Sequence, residues 1–76
     1  MKYNQENDSN QAHYRANIKI GLPVAVVLKK NQKTGKRTYG KVQWILTSAA
    51  YHSRGIKVVL DNRQIGRVQE IMPEET

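Results

Sequence analysis

Gly40-Lys41-Val42-Gln43-Trp44-Ile45 and Gly66-Arg67-Val68-Gln69-Glu70-Ile71 are two versions of one phrase: glycine, a basic residue, valine, glutamine, any residue, isoleucine. Each follows an apolar run that ends in Val-Leu, residues 23–28 in the first case and 55–60 in the second. The repeated unit therefore reads as strand, turn, strand. A lone hairpin is marginal in water, but two that share an apolar face can close on each other. The expectation is an all-β fold, a small barrel of four to five strands made from two related hairpins.

The phrase also predicts a distortion. Valine and the isoleucine three places later cannot share a face if side chains alternate strictly, so either a bulge lies between them or the isoleucine turns to a second layer at a barrel corner. A glycine at the start of the returning strand lets that strand bend, or lets another backbone approach closely.

Working outward, strand one is expected over residues 24–30, strand two over 38–47, strand three over 55–60 and strand four over 64–72. Val24, Val26 and Leu28, and later Ile56, Val58 and Leu60, fall in phase as inward faces. In strand two Val42, Trp44 and Leu46 are in phase, with Tyr39 and Ile45 out of it, some of which a bulge near Gly40 would reconcile. Trp44 therefore has two readings, core or stacking surface. Pro23 lacks an amide donor and belongs at a strand start or an edge. Ile18, Ile20 and Leu22 alternate and predict a lead-in segment with one buried face. Gly35 is placed at positive φ in the first hairpin loop, and Asn62 in the left-handed region of the tight turn at residues 61–63. Residues 47–54 form a connector with room for one helical turn.

Seventy-six residues allow one domain with a thin core. The apolar residues are mainly Val, Ile and Leu, with no Phe and one Trp, which suits short strands. With no cysteine there is neither a disulfide nor a thiolate metal site. No apolar stretch approaches the roughly 20 residues of a membrane span, and the polar N-terminus is unlike a signal peptide, so a cytoplasmic monomer is expected. Residues 1–16 lack an apolar period and are expected to form a disordered or weakly ordered arm, a frayed tail in preference to one anchored through Tyr3, His13 and Tyr14 on a partner or on the barrel. The barrel is placed at residues 17–72 and a solvated tail at 73–76.

Charge is distributed unevenly. The net charge is +7, but residues 17–67 hold eleven basic residues against one acid, Asp61. Lys29, Lys30, Lys33, Lys36, Arg37 and Lys41 fall within 13 residues with no acid among them. Such a field attracts polyanions, and a polyanion that neutralises the loop would order it on binding.

The repeat carries a resemblance. Gly-x-Val-x-x-Ile after an apolar strand and turn is similar to the KOW-type segment of small SH3-like barrels in ribosomal and transcription-elongation proteins, which bind RNA or protein. A longer likeness covers residues 17–71: Ile18-Lys19-Ile20-Gly21-Leu22, Val27-Leu28-Lys29-Lys30-Asn31-Gln32, Thr34-Gly35-Lys36, Ile45-Leu46-Thr47, His52, Gly55-Ile56-Lys57-Val58 and the second phrase. In these the chain resembles the YwbE family of small uncharacterised bacterial proteins. The resemblance implies an SH3-like barrel and carries no activity across. Members usually show His-Pro-His-Gly before strand three and Asp-Gly in the last turn; here His52-Ser53-Arg54-Gly55 and Asp61-Asn62 stand in those places. A role for paired histidines is therefore not carried over.

Catalysis finds little to work with. His13 and His52 lie far apart in sequence, acids are nearly absent from the middle, and no nucleophile elbow, phosphate-cradling glycine loop or His-x-x-x-His spacing occurs. No enzyme activity, cofactor or metal is expected. The candidate function is binding of RNA or single-stranded nucleic acid through phosphates, by Lys29, Lys30, Lys33, Lys36, Arg37 and Lys41, with Arg54, Lys57 and Arg67 adding charge on the second hairpin. Tyr39 between Arg37 and Lys41 is the candidate wet aromatic, with Trp44 and Tyr51 as further stacking surfaces. An acidic protein surface, such as a ribosomal or polymerase face, is the competing partner. A membrane surface is not, since no amphipathic helix sets an apolar stripe beside the lysines.

Overall fold

The computed structural model describes residues 11–73. Strands β1 (Pro23–Leu28), β2 (Arg37–Ile45), β3 (Lys57–Leu60) and β4 (Ile65–Ile71) pair antiparallel in that order, and β1 pairs back onto β4 to close the barrel. The all-β, SH3-like reading holds, with four strands. Short 3-10 turns occupy Arg15–Asn17 and Lys29–Asn31. No helix among the described residues is long and apolar enough to cross a membrane.

The core is built from branched aliphatics. Val24, Val26 and Leu28 of β1, Val58 and Leu60 of β3, Val68 of β4 and Ile56 are buried on one another, with Val42 of β2 among them. Ile45 and Ile71, the last residues of the two phrases, pack against this cluster from its margin.

Both phrases contain a bulge, and at the same residue. Between β2 and β3, Val42 lies opposite Leu60 and Trp44 opposite Val59, so Gln43 is extra. Between β4 and β1, Val68 lies opposite Val26 and Glu70 opposite Ala25, so Gln69 is extra. One inserted residue shifts the alternation by one, and this lets the valine and the isoleucine three places on both face inward. The bulge in β2 is thus at Gln43 and not near Gly40. Its consequence is a second correction: Trp44 and Leu46, in phase with Val42 by sequence, are exposed.

The phrase glycines sit under close contacts of unequal severity. A Cβ on Gly66 would lie 2.8 Å from both the Val26 side chain and the Val27 carbonyl oxygen. On Gly40 it would lie 3.1 Å from an Asp61 carboxylate oxygen and 3.2 Å from a Leu60 methyl.

Strand boundaries moved where local geometry overrode the apolar pattern. β1 ends at Leu28 because Lys29–Asn31 tighten into a 3-10 turn. Gly35 takes φ 75°, as expected, but in the second turn the left-handed residue is Arg63, at φ 72°, and not Asn62. Asn62 stabilises the turn instead by accepting the Gln64 N–H through its side-chain oxygen at 3.0 Å. The lead-in is not a strand either: Ile18 is buried, whereas Ile20 is exposed on a turn closed by the Leu22 N–H donating to the Lys19 carbonyl at 3.1 Å.

Residues 1–10 of the expected arm lie outside the described residues, as do 74–76 of the tail. Residues 12–15, by contrast, lie along the connector. The Arg15 N–H donates to the Ala50 carbonyl at 2.8 Å, the His52 N–H to His13 at 2.9 Å and the Ile56 N–H to Ala12 at 3.1 Å. Ala12 is fully buried in the core, and Tyr14 and Tyr51 meet with ring centroids 5.0 Å apart. The connector is held against residues 12–15 by this pairing; it bends at residues 49–50 and closes one turn, the Gly55 N–H donating to the His52 carbonyl at 3.1 Å, without forming a helix.

Candidate functional site

Register determines which charges meet. Val27 of β1 lies opposite Arg37 of β2 on one side and Arg67 of β4 on the other, and Arg67 lies opposite Lys57 of β3. Residues directly opposite in antiparallel pairs share a face. Arg37, Val27, Arg67 and Lys57 therefore form one row across all four strands, on the outside of the barrel. Strand spacing puts the backbones of Arg37 and Arg67 about 10 Å apart. Arg67 and Lys57 are like charges directly opposite one another, an arrangement that costs about 0.2–1 kcal/mol in an isolated sheet.

A third arginine reaches the row from the connector. The Arg67 guanidinium donates to the Gly55 carbonyl at 3.2 Å, and the side-chain amide of the bulged Gln69 donates to the Arg54 carbonyl at 3.0 Å. The Val68 N–H donates to the Ile56 carbonyl at 2.8 Å, so β4 holds residues 54–56 along its edge. Only glycine fits between: Gly55 takes φ 99°, and a Cβ there would run into the Val68 carbonyl oxygen. Val27, Gln32, Gly35, Arg37, Arg54, Arg67 and Gln69 line the resulting open cleft of about 480 Å³. Three arginines thus line one concavity, a composition suited to an anion with several acceptor oxygens.

Along β2 the alternation before the bulge puts Arg37, Tyr39 and Lys41 on the outer face. Tyr39 is 59% exposed. The Lys41 backbone is tied to Asp61: its N–H donates to the Asp61 carboxylate at 3.3 Å, and its carbonyl accepts the Asp61 N–H at 2.8 Å. Lys29, Lys30, Lys33 and Lys36 are exposed on the turn and loop that precede β2; they do not line the cleft, but Gln32 and Gly35 of the same loop do. Of the sequence candidates, the structure brings together Arg37, Arg54 and Arg67, with Lys57 beside them.

His52 stands near this charge. Its Nδ1 accepts the Arg54 N–H at 3.1 Å, while its carbonyl accepts the His13 Nδ1–H at 2.9 Å. Desolvation, then the positive charges of Arg67 and Arg54, then His13, hold the half-buried His52 imidazole below its ordinary value. The two histidines, 39 residues apart in sequence, are thus neighbours. No group of three His, Cys, Asp or Glu residues that could hold a metal ion occurs among the described residues.

Sequence reading missed the glutamines. Gln69 shapes the cleft, and the signal for it was the repeated Gln, the shared one of the two phrase positions at which a bulge would reconcile valine with isoleucine. Gln32 carried no comparable signal.

Residues 11–71 match the family described as "Uncharacterized conserved protein (DUF2196)". The chain is similar to the "Uncharacterized protein YwbE" of Bacillus subtilis (strain 168), with 52% identity over 58 residues that cover 76% of this chain and 89% of that one. No solved structure matches.

Proposed function

The chain belongs to this family of uncharacterised conserved proteins, and we propose that it is a non-enzymatic cytoplasmic module that binds RNA or single-stranded nucleic acid through its phosphates. The observation that carries the reading is the convergence of Arg37, Arg54 and Arg67 on one cleft. Lys57 opposes Arg67, and the lysine-rich β1–β2 loop contributes Gln32 and Gly35 to the cleft lining. Folding gains nothing from setting Arg67 against Lys57. A polyanion converts that repulsion into paired contacts, and guanidiniums suit phosphate because they present forked donors. Tyr39 and Lys41 continue the basic and aromatic face along β2.

Binding of a labelled 12-nucleotide RNA, measured by anisotropy across a salt series, tests this. Log affinity is expected to fall linearly with log salt, with a slope of about −0.7 per phosphate neutralised, and Arg37→Gln or Arg54→Gln to flatten the slope by about that amount. Absent or salt-insensitive binding overturns the reading. An acidic protein is the rival occupant of the same cleft. Partners captured from lysate that persist after nuclease treatment would favour it.

A further inference from the structure

The same outer surface carries an apolar row next to the charged one. Trp44 of β2 lies opposite Val59 of β3, and Val59 opposite Ile65 of β4. Trp44 is 63% exposed and Ile65 47%. The fold does not demand this tryptophan: it fills the variable place of the phrase, where β4 has Glu70, and the bulge at Gln43 turns it outward. Two residues along each strand, about 7 Å away, runs the row of Leu46, Lys57 and Arg67. An exposed indole at the end of an aliphatic row thus lies within side-chain reach of the two cations that lead into the arginine cleft.

We infer that Trp44, at the β2 end of the row that runs through Val59 to Ile65, is a stacking platform for an unpaired base of the nucleic acid whose phosphates the cleft holds, so that this face selects single strands over duplex. The inference rests on the function proposed above and adds a residue and a preference to it. Every base offers a flat face to an indole, but in a duplex those faces are already stacked on neighbours. Charge argues for this occupant over a second copy of the chain. A two-fold contact through the row would bring Lys57 and Arg67 of both copies together, whereas a strand of phosphates complements them.

Trp44 is the single tryptophan, so its fluorescence reports the platform directly. The full chain is titrated with a 12-nucleotide single strand, and in parallel with a blunt duplex of the same sequence at the same salt. The expected result is quenching by the single strand and tighter binding of it. Trp44→Ala should weaken single-strand binding by about 5- to 150-fold, leaving duplex affinity, the salt slope and the melting temperature nearly unchanged, and Trp44→Phe should retain most of the affinity. Salt-dependent binding without quenching, with equal affinity for both forms and no effect of Trp44→Ala, overturns the platform and leaves the cleft reading standing. No binding of either form at low salt overturns both. Elution of the wild type as a dimer that Trp44→Ala converts to monomer overturns the platform in favour of self-association.

Discussion

The second half of β2 and the second half of β4 share glycine, valine, the bulged glutamine and isoleucine, and they use them for the same backbone manoeuvre against different partners. In β4 the bulge faces β1, and its glutamine reaches across to hold Arg54 of the connector. In β2 the bulge faces β3, its glutamine is exposed, and what it presents is Trp44. Shared positions of the phrase build the barrel; the variable position and the surroundings of the glutamine decide what each half displays. One half makes a charged concavity and the other an apolar shelf.

The comparison breaks most readily at its glycines. Gly66→Ala is expected to cost about 2–3 kcal/mol, since the added methyl meets backbone and the Val26 branch at 2.8 Å, while Gly40→Ala should cost about 1 kcal/mol or less because its contacts are longer, 3.1 Å and beyond, and are made by side chains and not by backbone. Urea denaturation of both variants measures the gap; equal losses would mean that the halves are packed alike. The hairpin loops sharpen it next. Gly35 and Arg63 both take positive φ, so Arg63→Gly should raise stability by about 1 kcal/mol, and an unchanged or lower midpoint would refute the strain assigned to Arg63.

Charge gives a smaller effect with opposite signs in two readouts. Lys57→Glu replaces repulsion across from Arg67 with attraction and should raise stability by about 0.2–1 kcal/mol while it weakens RNA binding. A variant that lost both would show that Lys57 supports the fold and not a ligand. The smallest effect concerns pH. A histidine whose folded value is depressed contributes stability that is present above its ordinary value near 6.5 and is lost as pH falls through that value toward the folded one. Stability should therefore decline on acidification below about pH 6.5. His52→Asn, whose side-chain oxygen can still accept the Arg54 N–H, should flatten that decline in a pH series of thermal melts.

Most of the barrel was legible because its information is local and periodic. Val24, Val26 and Leu28 alternate cleanly, and so do Ile56, Val58 and Leu60, and the two phrases contain a valine and isoleucine spacing that only a distortion can satisfy. The position of the bulge was only partly legible: the valine and isoleucine spacing requires it between Val42 and Ile45, a glycine such as Gly40 drew the reading away from there, and the choice of Gln43 depends on pairing with β3. Trp44 and Leu46 went with it: one inserted residue reverses every side chain that follows. Residues 12–15 escaped notice because their place is fixed by backbone hydrogen bonds to residues 50–56, which leave no side-chain pattern. In the site, the basic character of the β1–β2 loop was plain, yet the cleft is walled by arginines from β2, the connector and β4. Register across the closed barrel assembles them, and register is a property of long-range pairing.

The most direct test of the central claim, that the row and cleft of Arg37, Arg54, Arg67 and Lys57 hold nucleic-acid phosphates, is a 15N-edited NMR titration of the full chain with a short single-stranded oligonucleotide at low and at high salt. The account predicts that the side-chain Nε–H signals of Arg37, Arg54 and Arg67 shift at low salt and return toward their free positions at high salt. Unmoved arginine signals at low salt, or shifts that persist undiminished at high salt, would contradict it.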